Sequence, residues 1–321
     1  MAVIGARVAA AVVTYEPGIE RLGASLEHLA SQTDRVVVVD NGSSNIEELR
    51  ALVRGFPTVR LVPLDQNEGI ATGFNIAVDH LAADGGIPDW VLTMDQDSLL
   101  DVGAVEAALS SLDDLDEGTK RRVGIVGARW DDETPPGGSA GDRALTRVLW
   151  GRVEAACDLG HVGELRLRSW TISSGSLIRR EVLESVRFRG ELFIDQVDVA
   201  FCVDARRKGW LVAETDAVLM HHRIGSTLEH RGSTRSYENA RRLYYIVRNS
   251  TYLVLRGIVP PIVYVVASVS WCRTYVFAHG RRSVPACLAI ATVGVVDGLI
   301  GRLGRREYSI VERESRRRAP T

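Results

Sequence analysis

Two carboxylates one residue apart, Asp95 and Asp97, end a short apolar run, Trp90-Val-Leu-Thr-Met-Asp-Gln-Asp-Ser98. If the run is a buried strand, the two-residue period of a strand turns both side chains to the same side at its C-terminal end. Paired carboxylates make a site for a hard cation, Mg²⁺ or Mn²⁺, which fills its remaining positions with water and phosphate oxygens. Such a pair suits a metal-bridged nucleotide diphosphate. The same spacing also occurs where an Asp only caps the next helix, so the remainder of the chain has to separate the two uses.

The elements that would position this pair follow from the hydrophobic pattern. Up to residue 128 the chain alternates short aliphatic strands with amphipathic helices, the pattern of a mainly parallel sheet covered by helices. Strands are expected at 7–13, 35–39, 59–64, 90–94 and 123–128. Between them Leu22, Leu26 and Leu29, then Leu49, Leu52 and Val53, then Ile76, Ala77, His80 and Leu81 recur at helical spacing. In a wound α/β domain ligands bind beyond the carboxyl ends of the strands. Thr14, Asp40, Asn41, Asn67 and the Asp95-Gln96-Asp97 triplet all fall there.

Residues 131–142, rich in Pro, Gly and Asp, read as a long loop of the kind used as lids. Order is expected to return at 171–178, followed by a helix near 180–185, an acidic stretch at 193–198 that opens another helix, and a closing strand at 210–220. After residue 222 the character changes. Residues 237–256 read as an amphipathic helix, and apolar stretches follow at 258–271 and 284–296.

The chain has 321 residues, 45% of them hydrophobic, enough for an ordinary globular core. Its four cysteines, Cys157, Cys202, Cys272 and Cys287, form no C-x-x-C pair, which argues against a zinc site or a disulfide framework and suits a reducing cytosol. Residues 1–13 lack the pattern of a secretory leader. Net charge is −2, but residues 223–321 carry 17 Arg against 6 acidic residues, or +11, which leaves −13 on residues 1–222. A basic, apolar tail suits an anionic lipid surface, whereas the aliphatic runs between its arginines are not what a nucleic-acid groove uses. Both apolar stretches fall short of the roughly 20 residues of a spanning helix. Pro260 and Pro261 are expected to interrupt the first and Asp297 to end the second, so peripheral, interfacial attachment is expected. Packing on the core, or at a contact between two copies, is the alternative.

The ordered motifs Val12-Val-Thr-Tyr15, Val37-Val-Val-Asp-Asn-Gly-Ser-Ser44, Asn67-Glu-Gly-Ile-Ala-Thr-Gly-Phe-Asn75, Asp95-Gln-Asp97, Ser174-Gly-Ser176, Asp198 and His222-Arg-Ile-Gly225 resemble those of an inverting glycosyltransferase of family 2. The resemblance covers residues 7–256 and implies an α/β GT-A fold. It implies a catalytic domain at 1–222, with its nucleotide-sugar half at about 1–130 and its acceptor half at about 131–222, and a helical tail at 223–321. Met94-Asp-Gln-Asp-Ser98 and Phe193-Ile-Asp-Gln-Val-Asp198 resemble the bacterial rhamnosyltransferase branch, which uses dTDP-L-rhamnose.

What the resemblance implies can be set beside what each residue could do alone. Thr14 and Tyr15 would contact the donor. Asp40 would accept a hydrogen bond from the imide N–H of a thymine or uracil, or cap the helix after it. Asn67, Gly69 and Asn75 form a loop into a helix whose amides would bind ribose or phosphate, although a plain turn has the same composition. Asp95, Asp97 and His222 would hold the metal, with His221 beside them and the Gly225 spacing favouring His222. Arg248 would bind the diphosphate, or lie on a helix surface. Ser174, Gly175 and Ser176 would form an acceptor-side loop. Asp198 would be the general base, or an N-cap. The family commonly carries a second acid where this chain has Ala200, which leaves Asp195 as a substitute.

These assignments imply transfer of L-rhamnose to a hydroxyl of a lipid-linked or cell-surface polysaccharide acceptor at the inner face of the cell membrane. The alternatives are UDP-galactofuranose as donor, or a non-catalytic nucleotide-sugar-binding or membrane scaffold protein.

Overall fold

The computed structural model describes residues 5–132, 157–222, 226–230, 233–237 and 239–316. β1 (Val8–Thr14) is buried along its whole length, and its run of alanines lets helices approach closely on the sheet's faces. It pairs in parallel with β2 (Arg35–Asp40) on one side and β4 (Trp90–Asp95) on the other, while β3 (Val59–Pro63) adds in parallel beyond β2. Register sets Thr14 opposite Asp40 and Val13 opposite Asp95. The polar strand ends therefore share one rim of the parallel half.

Beyond β4 the pairings turn antiparallel. The further strands are β5 (Leu99–Leu100), β6 (Val123–Asp132), β7 (Asp158–Val162), β8 (Leu165–Arg168), β9 (Ser176–Arg179) and β10 (Leu211–His222). The sheet runs β3-β2-β1-β4-β9-β6-β10-β8-β7, with β5 paired to β10. A separate hairpin joins β11 (Ser226–His230) to β12 (Ser233–Tyr237).

Helices α1 (Ile19–Ala30), α2 (Ile46–Val53) and α3 (Ile70–Ala83) follow the first three strands. Each buries a stripe at three- and four-residue spacing, such as Leu22, Leu26 and Leu29 on α1. On α3 the buried stripe is Ala71, Phe74, Ala77, Val78 and Leu81, so Ile76 and His80 lie at its edge. A Cβ on Gly73 of α3 would fall 2.7 Å from Val13 Cγ1, so that helix sits directly on β1 only because Gly73 lacks one. Shorter helices α4 (Ala104–Ser110), α5 (Glu117–Arg122) and α6 (Arg180–Ser185), and then α7 (Val197–Arg207), complete the covering.

The described residues divide into two compact units. Residues 5–131, 158–190 and 197–222 form the first, and residues 191–196 join the C-terminal residues in the second. The expected boundary at 222 thus misses a six-residue excursion. The second unit is built on α8 (Ala240–Val254), α9 (Pro261–His279), α10 (Val284–Ile300) and α11 (Ser309–Ser315). Leu243, Tyr244, Tyr245, Val247, Tyr275, Cys287, Ile290 and Val311 share its core with Phe193.

Two expectations about the tail change. Pro261 starts α9 instead of interrupting it, because a first-turn proline lacks only an N–H that has no intrahelical acceptor. Asp297 lies inside α10, where Tyr244 Oη and Tyr308 Oη each donate to its Oδ2 at 2.6 Å, so a buried carboxylate does not end the helix. The apolar segments are consequently longer than the pattern suggested. Pro261–His279 has 19 residues and Arg281–Ile300 has 20, long and apolar enough to cross a membrane by length and composition.

Gly294 and Gly298 carry α10 against α8. A Cβ on Gly298 would lie 2.5 Å from Arg248 O and 2.7 Å from Thr251 Cβ, a backbone contact that cannot yield without moving the helices apart. Gly298→Ala is expected to destabilise the C-terminal unit by about 1–3 kcal/mol, read as a lower midpoint in denaturant unfolding.

Candidate functional site

The rim of the parallel half is organised around Asp40, which is fully buried. Its Oδ1 accepts from Thr14 Oγ1 at 2.9 Å and from Ser43 Oγ at 2.5 Å, and its Oδ2 accepts from the Ser43 backbone N–H at 2.9 Å. In this arrangement Asp40 fixes the turn after β2 and ties it to the end of β1. Helix α2 begins later, after Asn45, so the helix-capping alternative does not describe it. Gly42, at φ 75°, lets that turn approach the backbone of Gln66, where a Cβ would fall 2.8 Å from Cα. Asn67 Oδ1 accepts from Gly69 N at 2.9 Å, shaping the entry to α3. Asn75 uses both ends of its amide on the backbone of Phe188, at 2.8 and 3.0 Å, and so fastens α3 to a distant loop.

Tyr15 stands 44% exposed at the end of β1. The Gln96 side chain grips its backbone from both sides, accepting from Tyr15 N at 2.7 Å and donating to Tyr15 O at 3.2 Å. The middle residue of the Asp95-Gln96-Asp97 triplet thereby sets where the exposed ring stands. Ser174 Oγ accepts from Asp95 N at 3.1 Å and donates to Ser98 Oγ at 2.9 Å, while Gly175 N donates to Thr93 O at 2.9 Å. Ser174 and Ser176 are buried, so this loop braces the carboxylate-bearing turn from behind.

Asp95 and Asp97 are half-buried. Both residues make other interactions, but Oδ1 of each is a buried oxygen that accepts no hydrogen bond. Such oxygens fit a hard divalent cation, which needs only one or two protein carboxylates when phosphates supply the rest. Among the described residues no group of three or more His, Cys, Asp or Glu converges on one point. The expected third ligand, His222, has a backbone in β10 but a side chain outside the described residues. Strand β5 pairs Leu99 with His221, which carries the end of β10 to the carboxylate turn. His221 itself is engaged elsewhere, its Nε2 3.2 Å from Asp101 Oδ1. Arg21 of α1, which sequence patterns did not single out, donates from Nε to Asp97 O at 2.9 Å and from Nη2 to His221 O at 3.4 Å. One guanidinium thus joins the two backbones.

Asp198 lies in the first turn of α7, half-buried, with Oδ1 accepting from Val199 N at 2.8 Å. One turn on, Cys202 is buried, and its thiol is pushed up to about 12 mainly by burial, which keeps it protonated. Ahead of α7, Phe193, Asp195 and Gln196 have positive φ of 67°, 65° and 61°, a conformation that disfavours side chains with a Cβ.

Two sequence expectations are corrected at this turn. Asp195 is not an available base: its carboxylate is 7% exposed and receives three contacts from Arg242 of α8, at 3.0, 3.1 and 2.6 Å. Arg248 is neither a surface charge nor a diphosphate ligand, being wholly buried. It donates to Asn249 Oδ1 at 2.9 Å, Gly304 O at 2.6 Å and Leu192 O at 2.9 Å, and lies 4.7 Å from the centre of the Tyr245 ring. Burial lowers its pKa, partly offset by Tyr244. Asn249 completes the clamp, its Nδ2 within 3.0 Å of Leu192 O, Ile194 O and Asp195 O.

Comparisons with known proteins bear on the family and the fold. Residues 10–139 match the family model of Glycosyl transferase family 2. The chain carries a family 2 glycosyltransferase domain. A dTDP-rhamnosyl transferase, RfbF, of Shigella flexneri is 27% identical to this glycosyltransferase over 312 residues, covering 95% of this chain and 100% of the relative. An N-acetylglucosaminyl-diphospho-decaprenol L-rhamnosyltransferase of Mycobacterium tuberculosis is 29% identical over 241 residues, 67% of this chain and 76% of the relative. Among solved structures, GalNAc-T7 with UDP, GalNAc and Mn²⁺ superposes with a TM-score of 0.50 at 12% identity. That match covers 71% of this glycosyltransferase and 44% of the other chain, and it shows the shared GT-A fold.

Removing the Asn249 amide would leave buried carbonyls of the 192–195 turn without a donor. Asn249→Ala is expected to destabilise the glycosyltransferase by about 1–3 kcal/mol in denaturant unfolding. Asn249→Asp, which has lost the donating NH₂, should do no better.

Proposed function

We propose that this glycosyltransferase moves L-rhamnose from dTDP-L-rhamnose to a hydroxyl of a lipid-linked or cell-surface polysaccharide acceptor, inverting the anomeric centre. The observation that carries the donor assignment is the alignment, over its whole length, of a relative named for dTDP-rhamnosyl transfer. The relative named for a diphospho-decaprenol acceptor supports the lipid-linked part.

In this reading Asp95 and Asp97 would hold a divalent cation, Mg²⁺ or Mn²⁺, which would supply positive charge for the leaving diphosphate. Arg21 and Ser174 keep the carboxylate turn in place, and Tyr15, steadied by Gln96, offers its exposed ring to the nucleotide. Asp40 supports that ring's strand end and the turn beyond it. Asp198 takes the proton of the acceptor hydroxyl while that oxygen attacks the anomeric carbon on the face opposite the diphosphate. Asp195 and Arg248 hold the turn that leads into Asp198.

Nucleotide diphosphate release in a screen of dTDP-rhamnose, UDP-galactofuranose, UDP-glucose and GDP-mannose tests the donor. Release from dTDP-rhamnose well above the others is expected, and a preference for UDP-galactofuranose would overturn the assignment. Asp97→Asn should abolish the metal-dependent part of dTDP affinity in calorimetry. Asp198→Asn should leave that affinity near normal and lower turnover by about 10² to 10⁴.

In this reading the second unit attaches peripherally at the inner face of the membrane, although its two apolar helices are also long enough to cross it. Helix α9 exposes Ile262, Val265 and Val269, and α10 exposes Val284, Leu288, Val296, Leu299 and Ile300, with Arg281 and Arg282 exposed in the turn between the helices. Near anionic lipid each basic residue contributes on the order of 1 kcal/mol, weakened by salt. The full chain should therefore float with anionic vesicles at low salt and do so less at high salt. Failure to float at low salt would leave the apolar face to protein contacts.

A further inference from the structure

Just past the C-terminal end of α10 a turn of the chain borders an open surface cavity of about 500 Å³, lined by Arg302, Arg305, Arg306, Glu307 and Tyr308. We infer that this cavity binds the phosphate or diphosphate headgroup of a lipid amphiphile, whose hydrocarbon chain lies along the exposed end of α10.

The charge balance is the first reason. A single arginine beyond a helix C-terminus would be accounted for by the helix dipole alone. Here three arginines face one carboxylate. Arg305 pairs with Glu307 at 2.8 Å, while Arg302 meets the Tyr308 hydroxyl and lies 3.8 Å from the buried Asp297. The Arg306 guanidinium has no hydrogen bond or ion pair among the described residues. A phosphate, with several acceptor oxygens in a compact group, is the anion that a set of guanidinium forks complements.

The second reason is that the turn is built from behind. Gly304 O accepts from Arg248, and Gly304 N donates to Glu191 O at 2.7 Å. Arg306 N is 3.0 Å from Tyr245 Oη, and Tyr308 Oη donates to Asp297. Buried core groups therefore hold the backbone from residue 304 to 308, while the guanidinium groups of 305 and 306 stay at the surface. The backbone that carries these side chains is therefore ordered before a ligand arrives, which lowers the cost of binding.

The third reason selects an amphiphile over a free anion. Leu299 and Ile300, 56% and 61% exposed, immediately precede the arginines, and Val296 lies one turn earlier on the helix. Exposed apolar side chains so close in the chain to a cationic pocket match a molecule with a charged head and an apolar chain.

The inference rests on the membrane-facing reading of α9 and α10. Calorimetry on the full chain in EDTA, with farnesyl diphosphate as probe and farnesol and inorganic pyrophosphate as controls, tests it. Farnesyl diphosphate should bind about tenfold or more tighter than either control, and Arg305→Gln with Arg306→Gln should weaken it by about tenfold or more. Arg306→Gln alone, at a side chain with no described partner, should show the same direction without disturbing the fold. Equal binding of farnesol, equal binding of pyrophosphate, or affinity unchanged in the variants would overturn the assignment. The affinity for dTDP with Mg²⁺, measured on the same proteins, should not change. Its absence in the unaltered chain would count against the donor assignment and not against this cavity.

Discussion

The C-terminal unit is organised around an unfavourable turn that has to be kept in place. Phe193, Asp195 and Gln196 all hold positive φ, at a cost of the order of 1–3 kcal/mol for each residue without glycine's freedom. What offsets it is a set of hydrogen bonds from one pair of neighbours, Arg248 and Asn249, to the carbonyls of residues 192, 194 and 195. A cationic donor to a buried carbonyl contributes more than a neutral one, about 1.5–3 kcal/mol. The two-residue pair on α8 is thus matched to the strained segment, and Arg242 adds a bidentate hold on Asp195.

The C-terminal unit manages buried charge without a direct ion pair for its most buried arginine. Arg248 rests on carbonyls and tyrosine rings, and the nearby carboxylate, Asp297, is satisfied by the hydroxyls of Tyr244 and Tyr308. Burial and the contact with Asp297 both raise the Tyr244 pKa, so its proton stays in place as donor. Removing either tyrosine hydroxyl would withdraw a donor from a buried carboxylate, a costlier loss than its area suggests.

The sequence was most legible where periodicity and motif coincide. The parallel strands, the helices between them, and the cluster of polar residues at one rim all follow from alternation and from the rule that ligands sit beyond strand ends. The roles of Asp195, Arg248 and Asn75 were not legible, because a charged or amide side chain reads the same whether it faces a ligand or a carbonyl distant in sequence. Helix α8 did hold a clue: residues 243–251 are buried on every side, which marks a core helix, not a surface one. Arg21 left no signal at all, since its acceptors are backbone oxygens of residues 97 and 221. The lengths of α9 and α10 are hidden in the sequence because Pro261 and Asp297 carry the signal of helix breakers, while the first-turn place of one and the tyrosine partners of the other exist only in the fold.

The chain leaves its first unit after Gly190 and returns at Val197, so the C-terminal residues are not an appendage to a finished enzyme. Gly304, more than a hundred residues later, donates to Glu191 and receives Arg248, closing the second unit around that excursion. The hydrogen bonds that hold residues 191–195 are therefore complete only when the segment beyond α10 is present. A change in the tail that loosens Gly304 or Arg248 would be felt far back in the sequence, at the turn of residues 191–195.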